Sequence, residues 1–358
     1  MLILRVIAGY VFLLSVFDAS GKELIPDSAK HSENNQFYNW AMHLRWLKMG
    51  TTQENTSATS ARQLMIAGTL KHSSGDEAPN NSYLKTIIGV GSSSTNRSNS
   101  SYTEMAAEFG ASYINMGDEA ATIGQNMAQI GAIPALLTVS GGSIPASGSV
   151  NVTASNMSLN RNMNAFRGTL LDVPGVLAWS EGTTGTFTRV STGEAVPVPE
   201  NTPFIPDAIK YRANCIILES GKNDINSGRA YADILADTVT ISTWFASFGT
   251  TTIVMGHFAN GSYRSAQRNT LSKLDAGITA VFGNRAIDQQ AWFTSPQLWV
   301  DLANEGITPT SQDLADQSEG NVPQTLMTSS RDHLTTAAYG YRMKYLVKPK
   351  LIELGLYK

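Results

Sequence analysis

The chain has 358 residues, with 26 basic against 29 acidic side chains and a net charge of −3. That near-balance argues against a nucleic-acid binder that works by neutralising phosphates, and an apolar fraction of 42% is enough for a sizeable core, which excludes wholesale disorder. A single cysteine, Cys215, rules out an intramolecular disulfide and a thiolate zinc site.

The first feature in chain order is Val6 to Phe17, a 12-residue apolar run behind Arg5. It is too short to span a bilayer, which needs about 20 residues. Its length suits a signal-peptide core followed by Ala19-Ser20, although Asp18 is a poor cleavage-site residue. The alternative is a buried strand that turns at Asp18-Ala19-Ser20-Gly21. Both readings stand. Next, Phe37, Trp40, Ala41, Leu44 and Leu47 recur at helical spacing, and Gly50 offers a stop. Residues 51–83 are polar and read as a linker, with one helical patch at Ala61–Ile66.

From Lys85 the texture changes. Lys85–Val90 predicts a strand that ends in Gly91-Ser92-Ser93-Ser94-Thr95, then a helix with Tyr102, Met105, Ala106 and Phe109 on one side. A second strand covers Ala111–Met116, a third Asn214–Glu219 and a fourth Thr251–Met255, with helices over 228–247 and 265–282. Strands alternating with helices predict a parallel sheet covered on both faces. Residues 131–209 interrupt this pattern. They hold no lysine and are dense in Gly, Thr, Ser and Pro. Runs at Ser149–Thr153, Gly168–Asp172 and Thr186–Val190, with turns at 141–142, 174–175 and 182–185, predict a small all-β insertion.

The glycines at 89 and 91 suggest a phosphate loop, but no lysine follows for a Walker loop, and Ser94 stands where a dinucleotide fingerprint needs its third glycine. What remains is a serine at the carboxyl end of a strand, before a helix, where open α/β sheets place their active sites.

Three further blocks give that serine company: Asn115-Met116-Gly117 closes the second strand, Gly221-Lys222-Asn223-Asp224 closes the third, and His333, in Asp332-His333-Leu334, is expected to open the last helix. In this order the blocks resemble the SGNH (GDSL-type) hydrolase superfamily, over about 85–130 and 212–358. The resemblance implies a flavodoxin-like, three-layer α/β hydrolase. Its division would be an N-terminal anchor or helical appendage and linker (1–84), a hydrolase domain (85–130 plus 210–358) and the β-rich insertion (131–209). It assigns Ser93 as nucleophile and His333 as general base, with the amides of Ser93 and Gly117 and the side chain of Asn223 as oxyanion donors. It calls for no cofactor, and the five histidines show no metal-ligand spacing. The family's triad acid lies three residues before the histidine, where this chain has Ser330. Asp332 adjoins His333, and neighbouring side chains rarely meet, so the acid stays unassigned: a Ser–His dyad, a carboxylate borrowed from elsewhere and a backbone carbonyl that holds His333 all stay open. His257, after the fourth strand, is read more readily as structural than as part of the site's rim.

The activity so implied is hydrolysis of acetyl or other short acyl esters, on a carbohydrate or polysaccharide, through an acyl-serine intermediate. A looser similarity, to SGNH domains of phage tail proteins, implies an extracellular setting, on a virion or secreted. The N-terminal segment is then the candidate for self-association or virion attachment, with no membrane span and no nucleic-acid partner. The rival reading is a non-catalytic glycan-binding or structural virion protein on a decayed scaffold, supported by the missing acid.

Overall fold

A computed structural model describes residues 84–157, 163–180, 182–246 and 251–358, together with the pairs 6–7 and 10–11. The chain divides into two units, Met1–Ala58 and Thr59–Lys358. In the first, β1 (Val6–Ile7) pairs antiparallel with β2 (Tyr10–Val11); the rest of the apolar run lies outside the described residues. The expected turn at 18–21, the helix at Phe37–Leu47, the patch at Ala61–Ile66 and the linker 51–83 lie outside the described residues.

The second unit is mixed α/β. Its sheet has the order β15-β14-β13-β3-β4, formed by Ala286–Ile287, Thr252–Met255, Cys215–Glu219, Thr86–Gly91 and Ser112–Gly117. All neighbouring pairs are parallel. Strand side chains alternate between faces, and here both faces are apolar. Ile88, Val90, Ile216, Leu218 and Val254 pack in one core with α3 (Ile123–Ile130), α5 (Tyr231–Ala246) and α6 (Ser265–Phe282). Ile87, Cys215, Ile217, Ile253 and Met255 pack in another with α2 (Asn99–Glu108) and α11 (Lys348–Glu353). The β-branched runs read from the sequence are therefore strands buried on both sides.

Between α3 and β13 the chain forms a closed antiparallel barrel, order β10-β7-β5-β12-β8-β9. Its strands are β5 (Leu136–Val139), β7 (Ser149–Ala154), β8 (Met163–Leu170), β9 (Val173–Trp179), β10 (Thr184–Arg189) and β12 (Thr202–Pro206). Two short strands, β6 (Ser143–Ile144) and β11 (Val196–Pro197), pair beside it. Leu137, Leu177, Phe187 and Phe204 fill the interior. Gly168 and Gly175 make room for it, because a Cβ on either would run into the Phe204 or Phe187 ring. The expected strand at 168–172 is corrected. β8 stops at Leu170, and Leu171 and Asp172 both take positive φ in the hairpin turn, so Pro174 and Gly175 lie on β9 rather than in a turn.

A third group of helices follows β15: α7 (Gln289–Phe293), α8 (Gln297–Ala303) and α9 (Ser311–Ser318). With Phe258, Leu326, Leu334 and Tyr339, α7 and α8 build a core beneath the loop that carries His333. His333 does not open a helix: α10 runs Thr336–Arg342, capped by the Thr335 hydroxyl, and α11 comes after it.

Candidate active site

β3 delivers the serine run. Gly91 has to be small, since a Cβ there would run into the Thr95 hydroxyl and the Glu219 carbonyl of the neighbouring strand. The chain turns at Ser92, and Ser93 is the first residue of α1 (Ser93–Arg97). Ser92 and Ser94 are almost wholly buried. The Ser93 hydroxyl instead lies 2.8 Å from His333 Nε2. The structure thus brings together two residues 240 positions apart in sequence, one at the start of a helix and one in a turn, at the distance a nucleophile and its base require.

His333 sits in a turn held shut by backbone bonds. The Thr328 amide donates to the His333 carbonyl (2.9 Å), the Arg331 amide to the Thr328 carbonyl (2.8 Å) and the Thr335 amide to the Leu326 carbonyl (2.9 Å). Arg331 takes a positive φ of 56° in this turn. The tight turn overturns the expectation that neighbouring side chains would diverge, for Asp332 Oδ1 lies 3.0 Å from His333 Nδ1. It stands off the Nδ1–H axis, so the contact is electrostatic rather than an aligned hydrogen bond. Ser330, which replaces the expected acid, donates its hydroxyl to Asp332 Oδ1, and Thr328 does so at 3.3 Å. The Ser330 bond and the nearby imidazole hold the Asp332 carboxyl well below the usual range, outweighing its slight burial. A carboxylate beside Nδ1 favours the Nδ1–H tautomer, which leaves Nε2 to accept the Ser93 proton.

The Gly117 amide is not placed as expected. It donates to Asn115 Oδ1 at 2.8 Å, and Gly117 has to be small because a Cβ would run into the α1 backbone at Asn96. The sequence reading missed Ala120, three residues on. Its φ is +60°, a region costly for any residue with a Cβ, and its amide has no partner among the described residues. Its neighbours frame the site. Glu119 accepts from Asn96 Nδ2 (3.2 Å) and Arg97 Nε (3.3 Å) on α1, and the Ala121 carbonyl accepts from Asn223 Nδ2 (2.8 Å). Burial pushes the Glu119 carboxyl up, but Arg97, Asn96 and the His333 charge outweigh it, and the net shift is downward. The only sequence signal for Ala120 was its distance from the strand end.

Asn223 lies on α4 (Lys222–Asn226), which starts at Gly221 with φ +117°. Asp224 Oδ2 accepts from the Ile123 amide (2.9 Å) and Oδ1 from Arg229 (3.1 Å), which ties α4 to the 118–123 loop. His257 is buried, with Nε2 3.1 Å from the Ser220 carbonyl. That acceptor fixes Nε2–H, burial draws the imidazole down to about 4, and the residue braces the turn before α4. The barrel reaches the same loop, since the Asn164 amide donates to Asp118 Oδ2 (2.8 Å) and the Asp118 amide to the Gly91 carbonyl (3.2 Å). Among the described residues no group of three His, Cys, Asp or Glu is placed to hold a metal ion, and no helix is long and apolar enough to cross a membrane.

No protein-family model matches the chain, and no curated protein matches it. Among solved structures it is similar to the crystal structure of TesA, with a TM-score of 0.39 and 12% identity over 75% of this chain and 99% of that one. It is also similar to a GDSL-like lipase from Bacteroides thetaiotaomicron, with a TM-score of 0.43 and 8% identity over 81% of this chain and 97% of that one. Scores and identities this low carry no functional inference.

Proposed function

We propose that the chain is a serine ester hydrolase of the SGNH type that removes acetyl or other short acyl groups from a carbohydrate. One observation carries the reading: Ser93 Oγ at 2.8 Å from His333 Nε2, with the Asp332 carboxylate at 3.0 Å on the other side of the ring. In the first step the Ser93 oxygen attacks the ester carbonyl carbon while its proton passes to Nε2. The oxyanion so formed takes hydrogen bonds from the Ser93 amide, the Ala120 amide and Asn223, which has a second N–H beyond the one given to Ala121. Nε2 then returns the proton to the leaving alcohol, and water hydrolyses the acyl-serine by the same route in reverse. Asp332 stabilises the imidazolium formed in both steps.

The carbohydrate part of the reading rests on the barrel, whose β8 is bonded to the loop carrying Ala120, so that a polymer bound along it would reach Ser93. With it goes an extracellular setting, on a virion or secreted. Against the rival reading, a non-catalytic protein on a decayed scaffold, stands the Asp332 carboxylate beside His333 Nδ1, on the side of the ring where an acid would act. The test is turnover of p-nitrophenyl acetate and of an acetylated polysaccharide by wild type and Ser93→Ala. Turnover by wild type that vanishes in Ser93→Ala is expected. Equal rates in the two, or fluorophosphonate bound at Ser92 or Ser94, would overturn the assignment.

A further inference from the structure

Lys222 is unusual in its surroundings. It is the first residue of α4, directly before Asn223, its side chain is buried, and its ammonium has no carboxylate partner within salt-bridge distance among the described residues. Nζ donates to the Asp332 carbonyl at 3.3 Å and lies over the Phe258 ring, 3.9 Å from the centroid. A methionine would fill similar space without the desolvation cost of a buried charge. What the lysine adds is a charge-assisted hydrogen bond, and the acceptor it chooses is informative. The Asp332 carbonyl belongs to the peptide that joins the acid to the base. Adjacent side chains meet only if the peptide between them is held in one orientation.

We infer that Lys222 is a positioning residue that clamps the Asp332–His333 peptide, so that an acid adjacent to the histidine can serve in place of one three residues away. The inference rests on the esterase reading and extends it to a residue that does not touch substrate. It also couples two blocks: the helix that presents Asn223 to the oxyanion grips, one residue earlier, the loop that presents the base. The cation is marginal where it sits, since burial draws the amine down to about 8 although Glu219 and Asp332 pull the other way. The charged and titratable groups facing it are Glu219 at the end of β13, Arg342 on α10, Asp332 on the loop and His257 after β14. The clamp therefore weakens as pH rises through about 8.

The experiment compares wild type, Lys222→Met, Lys222→Gln and Ser93→Ala on p-nitrophenyl acetate across pH. Misplacing a reacting group by about 1 Å typically costs on the order of 10²-fold. Lys222→Met is expected to lose about 10- to 100-fold in kcat with KM nearly unchanged, and to lack the alkaline fall expected of wild type near pH 8. Lys222→Gln, which keeps an N–H donor, should recover part of the rate without the alkaline fall, and it carries the test alone if the methionine variant does not fold. Rates equal to wild type, or an alkaline fall retained in either variant, would overturn the clamp and leave the esterase reading intact. A wild type that neither turns over ester nor reacts with fluorophosphonate would overturn both.

Discussion

The parallel sheet and the inserted barrel are both closed around apolar side chains, yet they treat buried polarity in opposite ways. Within the barrel, between Leu136 and Pro206, Thr202 is the one polar side chain that is buried among the described residues. At the carboxyl edge of the sheet, Ser92, Ser93, Ser94, Thr95, Glu219, Ser220, Lys222, Asp224 and His257 are all buried. Burying such groups is costly unless they are hydrogen-bonded. Their concentration along one edge therefore marks where the fold gives up stability for geometry. The Glu219–Arg342 pair is an example, at 2.6 Å with both side chains almost fully buried. Arg342 also donates to Ser98, which follows α1, so the strand before Asn223, the helix after His333 and the helix of Ser93 meet in one network. A buried pair of this kind adds little net stability over a well-packed apolar one. Its effect is to fix the three blocks of the proposed site against each other.

The largest expected effects come from breaking that edge. His333→Ala should lose as much ester turnover as Ser93→Ala, and the double variant no more than either, because groups that act as a unit do not add. Losses on the order of 10⁴- to 10⁶-fold are expected in kcat. A double variant that multiplies the single losses would show that the two residues act independently. The barrel should answer differently. Phe187 is wholly buried and meets the Phe204 ring edge-on, 6.2 Å between centroids. Phe187→Ala should cost about 3–5 kcal/mol of stability, the usual range for such a truncation. Turnover of a small ester per folded molecule should not change. Denaturant unfolding and active-site titration separate the two, and a fall in small-ester kcat would mean that the barrel shapes the catalytic centre.

The sequence made the sheet legible because its grammar is local. Short β-branched runs alternate with helices, and Ser93 and Asn223 follow strand ends. His333 was found through its block, although the helix it was expected to open starts at Thr336. The barrel's closure was hidden, since pairing β12 with both β5 and β8 joins segments far apart in the chain. Two features of the site were hidden for other reasons. Gly117 drew attention as a glycine, but it is small to let α1 approach; the left-handed position falls on Ala120, whose residue type gives no hint of it. The approach of Asp332 to His333 was illegible because adjacency argues against it. What brings it round is a turn with Arg331 at φ 56° and side-chain bonds from Ser330 and Thr328.

That turn sets the next expected effect. Asp332 is 58% exposed in its side chain and stands off the Nδ1–H axis. Water screens an exposed ion pair, so Asp332→Asn should cost about 10²-fold in kcat, well short of the ~10⁴ of a buried triad acid. Because the Ser330 bond keeps the Asp332 carboxyl low, this contribution should persist on the acid side for as long as His333 can act as a base. A loss equal to that of Ser93→Ala would make Asp332 a full triad acid, and no measurable loss would restore the Ser–His dyad.

The smallest effect asks whether the sheet edge is burdened even away from the chemistry. Asp275 on α6 accepts from the His257 amide through Oδ1 (3.0 Å), while Oδ2 has no partner among the described residues. Gly256 is small here because a Cβ would press on that carboxylate. Burial pushes the Asp275 carboxyl up to about 8 from an ordinary 3.8, and Asp288 adds to the rise. The folded chain therefore holds a proton that the unfolded chain releases. The stability this confers is complete below pH 3.8 and is lost as pH rises through about 8. Asparagine keeps the Oδ1 acceptor and cannot titrate. Asp275→Asn should thus flatten the decline of Tm between the acid range and pH 8, with ester turnover at neutral pH unchanged. Tm curves that fall in parallel for variant and wild type would place the alkaline loss elsewhere and remove Asp275 from the burdened edge. The barrel, with no buried carboxylate among its described residues, should contribute no such slope, so surface-neutral variants on β7 or β10 serve as the control.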